Sequence, residues 1–401
     1  MKKTLLNIIL GSALTLSFAA VPTTASAHRD ENFEQTLKAA SEPVRMAYEN
    51  AHLKGQLGHK LVIVGQTQEG ELMLDEALAE ARMLEHELLR NQVLHHIANE
   101  VASTDDFERA LSLREEITDL ELRTKLGWKL VNKLGKAGEG DRAQALLDEM
   151  VVQILAVEGD LELRAELLAG TGSNYRFTDP AGGVALVYEA YGLAQGISSA
   201  YERGLFFNEI GANMMDIKHS ERAVRLFERS RNLLDDIQSP LERARFLAML
   251  GGEQAEKGRR DDAARDLELG VAAALKVAEG EDRNDVLSEI ARNFGQSYQF
   301  ERGLEVADMI PDPYYRAEGY IRIAKNMHRE GQKPQALQLL ERSAELAESV
   351  DSFYLRGTLQ RKLAAEWISL KDYQRASALL AKAINGLPSD NNLAQLSAVQ
   401  H

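Results

Sequence analysis

The chain has 401 residues, 44% of them apolar, no cysteine, and a formal net charge of −15 at pH 7. Without cysteine there is no disulfide, thiolate nucleophile, thiolate metal ligand or lipid-bearing cysteine, and the acidic balance disfavours nucleic acid and anionic lipid as partners. Only 8 prolines and 6% aromatics occur, and Leu, Ala, Glu and Arg recur at three- and four-residue spacing with almost no alternating Val/Ile/Thr runs, so the chain reads as all-α.

Residues 1–27 have the form of a secretory signal peptide: Lys2 and Lys3 precede an apolar stretch from Leu5 to Ala20, and Ala25-Ser26-Ala27 is a small-x-small cleavage signal. Cleavage after Ala27 places the mature chain in the periplasm or outside the cell, with a charge of about −17 once both lysines are lost. The apolar stretch is too short to span a bilayer, and no later segment approaches 18 apolar residues, so no integral membrane segment is expected. Residues 28–56 read as an N-terminal capping helix or half repeat, because Glu42-Pro43-Val44-Arg45 resembles Lys333-Pro334-Gln335-Ala336 further on. Residues 57–386 form a helical-repeat array, and residues 387–401 are a polar C-terminal tail, either disordered or docked as a cap.

The repeat shows as an arginine near the start of successive helical stretches: Arg90, Arg123, Arg164, Arg203, Arg243, Arg283, Arg316 and Arg356, spaced 33, 41, 39, 40, 40, 33 and 40 apart. Eight positions after each lies a small or compact residue (Ala98, Val131, Gly172, Gly211, Gly251, Ala291, Ala324, Ala364). Twenty after, or nineteen once, lies another (Ala110, Ala143, Gly183, Ala223, Ala263, Gly303, Ala336, Ala376). A further copy precedes these, with Leu57 at the anchor, Gly65 and Ala77 at the small positions, giving about nine antiparallel helix pairs. Apolar residues four, seven and eleven after the anchor, such as Phe207, Ile210 and Met214, share a face with the first small residue. Two small residues let the helices of a pair cross closely, so Gly211→Leu should overpack the seam. Ser199, Ser239-Pro240 and Asp312-Pro313 read as helix N-caps.

These residues resemble the tetratricopeptide repeat superfamily, best in the copy that starts at Arg203, with Phe207, Ile210, Gly211, Met214, Ala223 and Phe227. The resemblance covers residues 57–386 and implies a right-handed superhelical solenoid. The seven extra residues of the 40-residue repeats are nearly two helical turns; they fall after the second small anchor and should lengthen the arms by about 10 Å. Solenoid ends also offer edges for self-association.

The resemblance further implies a concave groove lined by positions 5, 9 and 12 of the first helices, where partners are held. No residue at those positions in the arginine-led repeats is acidic, although Glu69 is in the first copy. The expectation is a neutral-to-basic groove suited to an acidic or carboxylate-ended protein or peptide. Candidate partner-binding residues are Asn99, Lys125, Trp128 and Asn132 towards one end, and Arg292, Arg322, Lys325 and Arg361 towards the other; the bland alternative is that these are solvated surface groups. The arginine ladder is read as a strut pairing with carboxylates of the adjacent repeat, with a ligand clamp as its alternative. Trp128 is expected in the groove and Trp367 in the core.

His95 and His96 diverge by about 100° on a helix and cannot readily chelate one ion, so they and His86 read as solvent-facing. His28 would become the N-terminal residue and could bind copper, with no fixed further ligand. No phosphate loop, His-Glu-x-x-His or Gly-x-Ser-x-Gly motif occurs, and no cofactor, catalytic residue or metal site is assigned. The function read from the chain is an exported, non-catalytic scaffold. The alternatives are a glycan-active α/α-toroid-like enzyme, which needs two carboxylates facing each other in the groove, and a small-ligand or metal-binding protein.

Overall fold

The computed structural model describes residue 33 and residues 35–103 and 106–388. Residues 1–27, expected to be a leader, His28 and residues 389–401 of the expected tail lie outside the described residues. Those described are helical, with no strand among them. They alternate first and second helices in nine successive couples: α1 Glu42–Ile63 and α2 Thr67–Met83, α3 Glu87–Val101 and α4 Phe107–Glu116, α5 Leu120–Lys136 and α6 Gly140–Leu155. Next come α7 Leu161–Asn174 and α8 Pro180–Ala194, α9 Ala200–Asp216 and α10 Ser220–Arg231, α11 Pro240–Glu256 and α12 Arg260–Ala274. The last are α13 Glu281–Gln296 and α14 Phe300–Asp308, α15 Pro313–Arg329 and α16 Lys333–Glu348, α17 Phe353–Ser369 and α18 Tyr373–Asn385. The predicted caps are in place: Ser199 and Ser239 Oγ each accept from the third residue's N–H at 3.3 Å, and Asp312 Oδ1 accepts from Tyr314 N–H at 2.8 Å.

Within each couple the turn has one form. The residue fifteen after the anchor is left-handed in seven copies, at Gly65, Gly138, Lys218, Gly258, Tyr298, Gly331 and Lys371, with φ between 64° and 91°. The next N–H then donates back to a carbonyl five residues earlier, as from Gln66 to Leu61 at 2.9 Å and from Asp372 to Trp367 at 2.9 Å. This is the six-to-one bond of a Schellman helix end, which satisfies carbonyls the helix leaves unpaired.

That turn corrects the register of the first copy. Gly65 occupies the left-handed turn, and the close crossing is made by Gly58 and Gly70: a Cβ on Gly58 would lie 2.8 Å from Gly70 O. The anchor is therefore Asn50, which is 40 residues before Arg90, and not Leu57. Seven residues return nearly to the same helix face, so the apolar pattern alone did not separate the two. The expected boundary at residues 56/57 falls inside the continuous helix α1.

Later crossings follow the predicted small residues. A Cβ on Gly183 would lie 2.4 Å from Gly172 O, and one on Gly211 would lie 2.9 Å from Phe227 Cε1. The added length of the long repeats is in the second helices: α4 and α14 of the short repeats have 10 and 9 residues, against 16 in α6 and α16.

The arginine ladder is structural, with a different acceptor from the one expected. Arg90, Arg203, Arg316 and Arg356 donate to the main-chain carbonyl six residues before them, at Leu84, Ile197, Ile310 and Val350, over 2.6–3.0 Å. These carbonyls lie in the loop that follows the preceding second helix. Arg164 instead pairs with Glu189 of α8, the second helix of its own couple, at 3.1 Å, Arg123 takes the Gln153 amide of α6 at 3.3 Å, and Arg283 lies 3.6 Å from Glu279. In the four copies led by Arg90, Arg203, Arg316 and Arg356 the guanidinium caps orphan carbonyls where one couple hands over to the next.

By internal contacts the chain divides into two units, residues 107–242 and residues 33–106 with 243–388. In the second unit Leu53, Leu57 and Leu61 of α1 share a core with Leu359, Leu363 and Leu380 of α17 and α18. Every residue of α1 from Ala51 to His59 is buried, and His52 Nδ1 is 2.6 Å from Tyr354 OH. The α1 face expected to stay open at a solenoid end is covered by α17 and α18.

Candidate peptide-binding cleft

Three first helices of the second unit stand side by side with α13 in the middle: Asn293 reaches α11, and Gly295 meets Ile323 of α15. A cleft of about 430 Å³ runs across them. Its lining is regular. Met249, Gly252, Glu253 and Glu256 come from α11; Glu289, Arg292, Asn293 and Gln296 from α13; and Arg322, Lys325, Asn326 and Arg329 from α15. Counted from each anchor arginine these are the same four positions, 6, 9, 10 and 13, on all three helices. At 100° per residue they form one stripe, turned roughly a quarter-turn from the stripe 5, 9 and 12.

Position 5 is instead packed between neighbours. Ala248, Ser288 and Ile321 are buried there, as are His95 and Asn208. Using 5, 9 and 12 therefore left acidic positions out. Glu253, Glu256 and Glu289 stand in the cleft, so the expected carboxylate-free lining is corrected to one of mixed sign. With it goes the argument that a lack of carboxylates speaks against glycan chemistry.

Arg292, Arg322 and Lys325, three of the four residues expected at this end, do come together. Arg292 donates to Asn293 Oδ1 at 3.0 Å and Glu289 Oε1 at 3.1 Å. Burial, helped by the nearby Arg322 charge, pulls its pKa down. Asn293 Nδ2 donates to Ala248 O at 2.8 Å, and Gly252 makes room for it, since a Cβ there would lie 2.7 Å from that nitrogen. Arg322 pairs with Glu318 at 3.0 Å, whereas Lys325, 47% exposed, is 3.9 Å from Glu366. Arg329, which the sequence reading passed over, is exposed and pairs with no carboxylate among the described residues.

Arg361, the fourth, lies elsewhere. Its side chain, 13% exposed, packs against α3, with Nη1 3.9 Å from Glu100 and Nε lacking a hydrogen-bond partner among the described residues, and desolvation lowers its pKa. Around it is an internal polar network. Glu100 also takes His59 and Lys60, which hold its carboxyl far below the usual range although burial alone would raise it. Glu318 is held at about 2, because Lys362 and Arg322 outweigh its burial. His52 and His96 pack with ring centroids 4.3 Å apart and their planes tilted by 46°, and burial pushes both below their ordinary pKa. His95 and His96 are thus inside, not solvent-facing. Asn99 Nδ2 lies 2.7 Å from His95 Nε2.

In the 107–242 unit the other candidates stitch α5 to α7. Lys125 bonds Glu121 at 2.6 Å and Glu166 at 2.8 Å; burial works against its charge, but the two carboxylates hold its pKa well above the usual lysine range. Trp128 Nε1–H donates to Thr171 Oγ1 at 2.8 Å, with its ring against Gly170. Asn132 donates to Asn174 at 2.7 Å and accepts from Arg176 at 2.6 Å. These are braces between neighbouring helices. Trp367 is in the core, 3% exposed. Among the described residues no three His, Asp or Glu side chains stand close enough to hold a metal ion, and no helix is long and apolar enough to cross a membrane.

No family model matches the chain, and no curated protein matches it. Solved structures similar to it include tetratricopeptide-repeat and tetratricopeptide-like proteins. A Rap protein complexed with competence and sporulation factor is 14% identical over 87% of this chain and 99% of its own, with a TM-score of 0.35. Ton1535 from Thermococcus onnurineus NA1 is 15% identical over 76% of this chain and 98% of its own, with a TM-score of 0.30. A signal transduction ATPase with a tetratricopeptide repeat sensor from Pyrococcus horikoshii is 14% identical over 97% of this chain and 65% of its own, with a TM-score of 0.32.

Proposed function

We propose that this chain is an exported, non-catalytic scaffold that holds an acidic or carboxylate-ended protein segment in the α11–α13–α15 cleft. The observation that carries the reading is the recurrence of one four-residue stripe on three adjacent first helices, ending on α15 in Arg322, Lys325 and Arg329. Lys325 and Arg329 are exposed and weakly engaged within the chain, so a carboxylate gains a charged partner there without breaking a strong internal pair. On the other wall, Glu253 and Glu256 repel acidic residues and fix the direction in which a segment lies. A cleft of this size takes several side chains. The leader over residues 1–27 supports a periplasmic or secreted location.

The test is selection from a displayed random-peptide library on the mature chain and on its Lys325→Glu, Arg329→Glu form. Enrichment of Asp- and Glu-rich or acid-ended peptides by the native chain alone supports the reading. Sequences with no acidic bias, or equal recovery on both forms, would refute it.

A further inference from the structure

The 107–242 unit has a second cavity, of about 350 Å³, on its second helices. Tyr188 and Tyr191 of α8, Met214 of α9 and Leu226 of α10 supply an apolar lining, and Arg222, Arg225 and Arg229 of α10 border it. Three and four residues apart, the arginines share one face of α10. All three are exposed, and among the described residues none pairs with a carboxylate. On a chain with 62 acidic and 47 basic residues, three adjacent unneutralised guanidiniums are an exception that needs a cause.

The repeat supplies the comparison. The arginine just before the second small anchor recurs, and in three other copies it is held by a glutamate 34 residues earlier on the preceding second helix. Arg142 takes Glu108 at 2.7 Å, Arg302 takes Glu268 at 2.7 Å, and Arg375 takes Glu341 at 3.1 Å. For Arg222 the residue 34 earlier is Tyr188, and the guanidinium lies 4.7 Å above that ring. The adjacent carboxylate, Glu189, is already engaged by Arg164. Arg229 likewise lies 5.8 Å over the Tyr191 ring and donates to its hydroxyl. Replacing the glutamate by tyrosine opens an aromatic cavity and leaves the positive charge at its rim unmatched. Tyr188 carries in addition a buried hydroxyl with no hydrogen-bond partner among the described residues.

We propose that this is a binding site for an aromatic anion, with its ring among Tyr188, Tyr191 and Met214 and its carboxylate or phosphate on Arg222, Arg225 and Arg229. Arginine presents planar paired donors to either group, and stacking on tyrosine holds a guanidinium while leaving its N–H edge free. Ring–ring and sulfur–ring contacts favour an aromatic body over a purely aliphatic one.

The probe is 1-naphthyl phosphate, whose fluorescence reports binding to the full mature chain. The expected result is saturable one-to-one binding, weakened about tenfold or more by Arg222→Gln with Arg225→Gln and untouched by Arg142→Gln, with both variants melting as the native chain does. 1-Naphthol and inorganic phosphate should each bind about tenfold more weakly or worse. Displacement by phenylacetate assigns a free aryl acid as the natural ligand, and displacement only by a peptide ending in phenylalanine assigns a protein terminus. Equal binding to the double variant, or equal binding of naphthol or inorganic phosphate, would overturn the assignment.

Discussion

Gly183→Ala sets two known effects against each other at one site, and the geometry decides between them. An added Cβ would lie 2.4 Å from Gly172 O and 2.7 Å from Tyr175 Cβ, about 1 Å inside ordinary contact. A carbonyl oxygen of the facing helix cannot swing aside, so α7 and α8 must part, with an overpacking cost of roughly 2–3 kcal/mol. Alanine returns about 1 kcal/mol of helix propensity, leaving a net loss of about 1–2 kcal/mol. Gly192, on the exposed face of the same helix, is the control: nothing lies within 4 Å of its Cβ position, so Gly192→Ala should gain about 0.5–1 kcal/mol. Thermal melts followed by circular dichroism should put Gly183→Ala roughly 3–8 °C below the native chain, and Gly192→Ala slightly above it. A Gly183→Ala protein that melts at or above the native temperature would refute the crossing geometry.

Further consequences can be checked with the same melts. Gly211→Leu should cost about 1–3 kcal/mol, because Phe227 Cε1 already stands 2.9 Å from the Cβ position; an unchanged melt would count against the register. Arg356→Met should cost about 1–3 kcal/mol by leaving Val350 O without its donor, and a neutral result would return the ladder to the surface. Glu318, held at about 2 in the folded chain against 4.5 as its ordinary value, contributes stability that is complete above pH 4.5 and lost as pH falls towards 2; Glu318→Gln should flatten that part of the profile. His52 and His96 are held neutral by burial, so stability should also fall as pH drops below 6.5, where the unfolded chain takes up protons first. Replacing both with glutamine should reduce that slope, and an identical slope would sink the assignment.

The repeat was legible because close helix crossings demand small side chains at fixed intervals, and those residues cannot be moved without moving the helices. Its first copy was misread by seven residues because seven is nearly two turns. Gly58 and Gly70, twelve apart like Gly172 and Gly183 to within a residue, carried the correct signal. The turn at position 15 was visible only in part, since Lys218, Tyr298 and Lys371 adopt the left-handed form without being glycine.

Three of the cations read from the sequence, Arg292, Arg322 and Lys325, line this cleft, but the stripe read for the groove is rotated towards the neighbouring repeat. That rotation is why Trp128 and Arg361, both at position 5, turned out to be internal. Packing of α1 on α17 joins residues some 300 apart, as His52 to Tyr354. Such a contact depends on how couples distant in sequence pack within this unit, which periodicity within a repeat does not encode. Lys125 and Asn132 were recognised as polar and well placed, but their partners Glu166 and Asn174 lie one repeat on, at positions fixed only by the stacking of α5 on α7.

Occupancy of the cleft by an acidic protein segment can be read with a photo-crosslinking amino acid at Gln296, on the central helix of the cleft. The mature chain in its own cells should yield one crosslinked protein, with the crosslink mapping to an Asp- or Glu-rich stretch or an acidic terminus, and Lys325→Glu with Arg329→Glu should abolish it. A crosslink that persists in the charge-reversed form, maps to a stretch with no acidic bias, or fails to form would contradict the account.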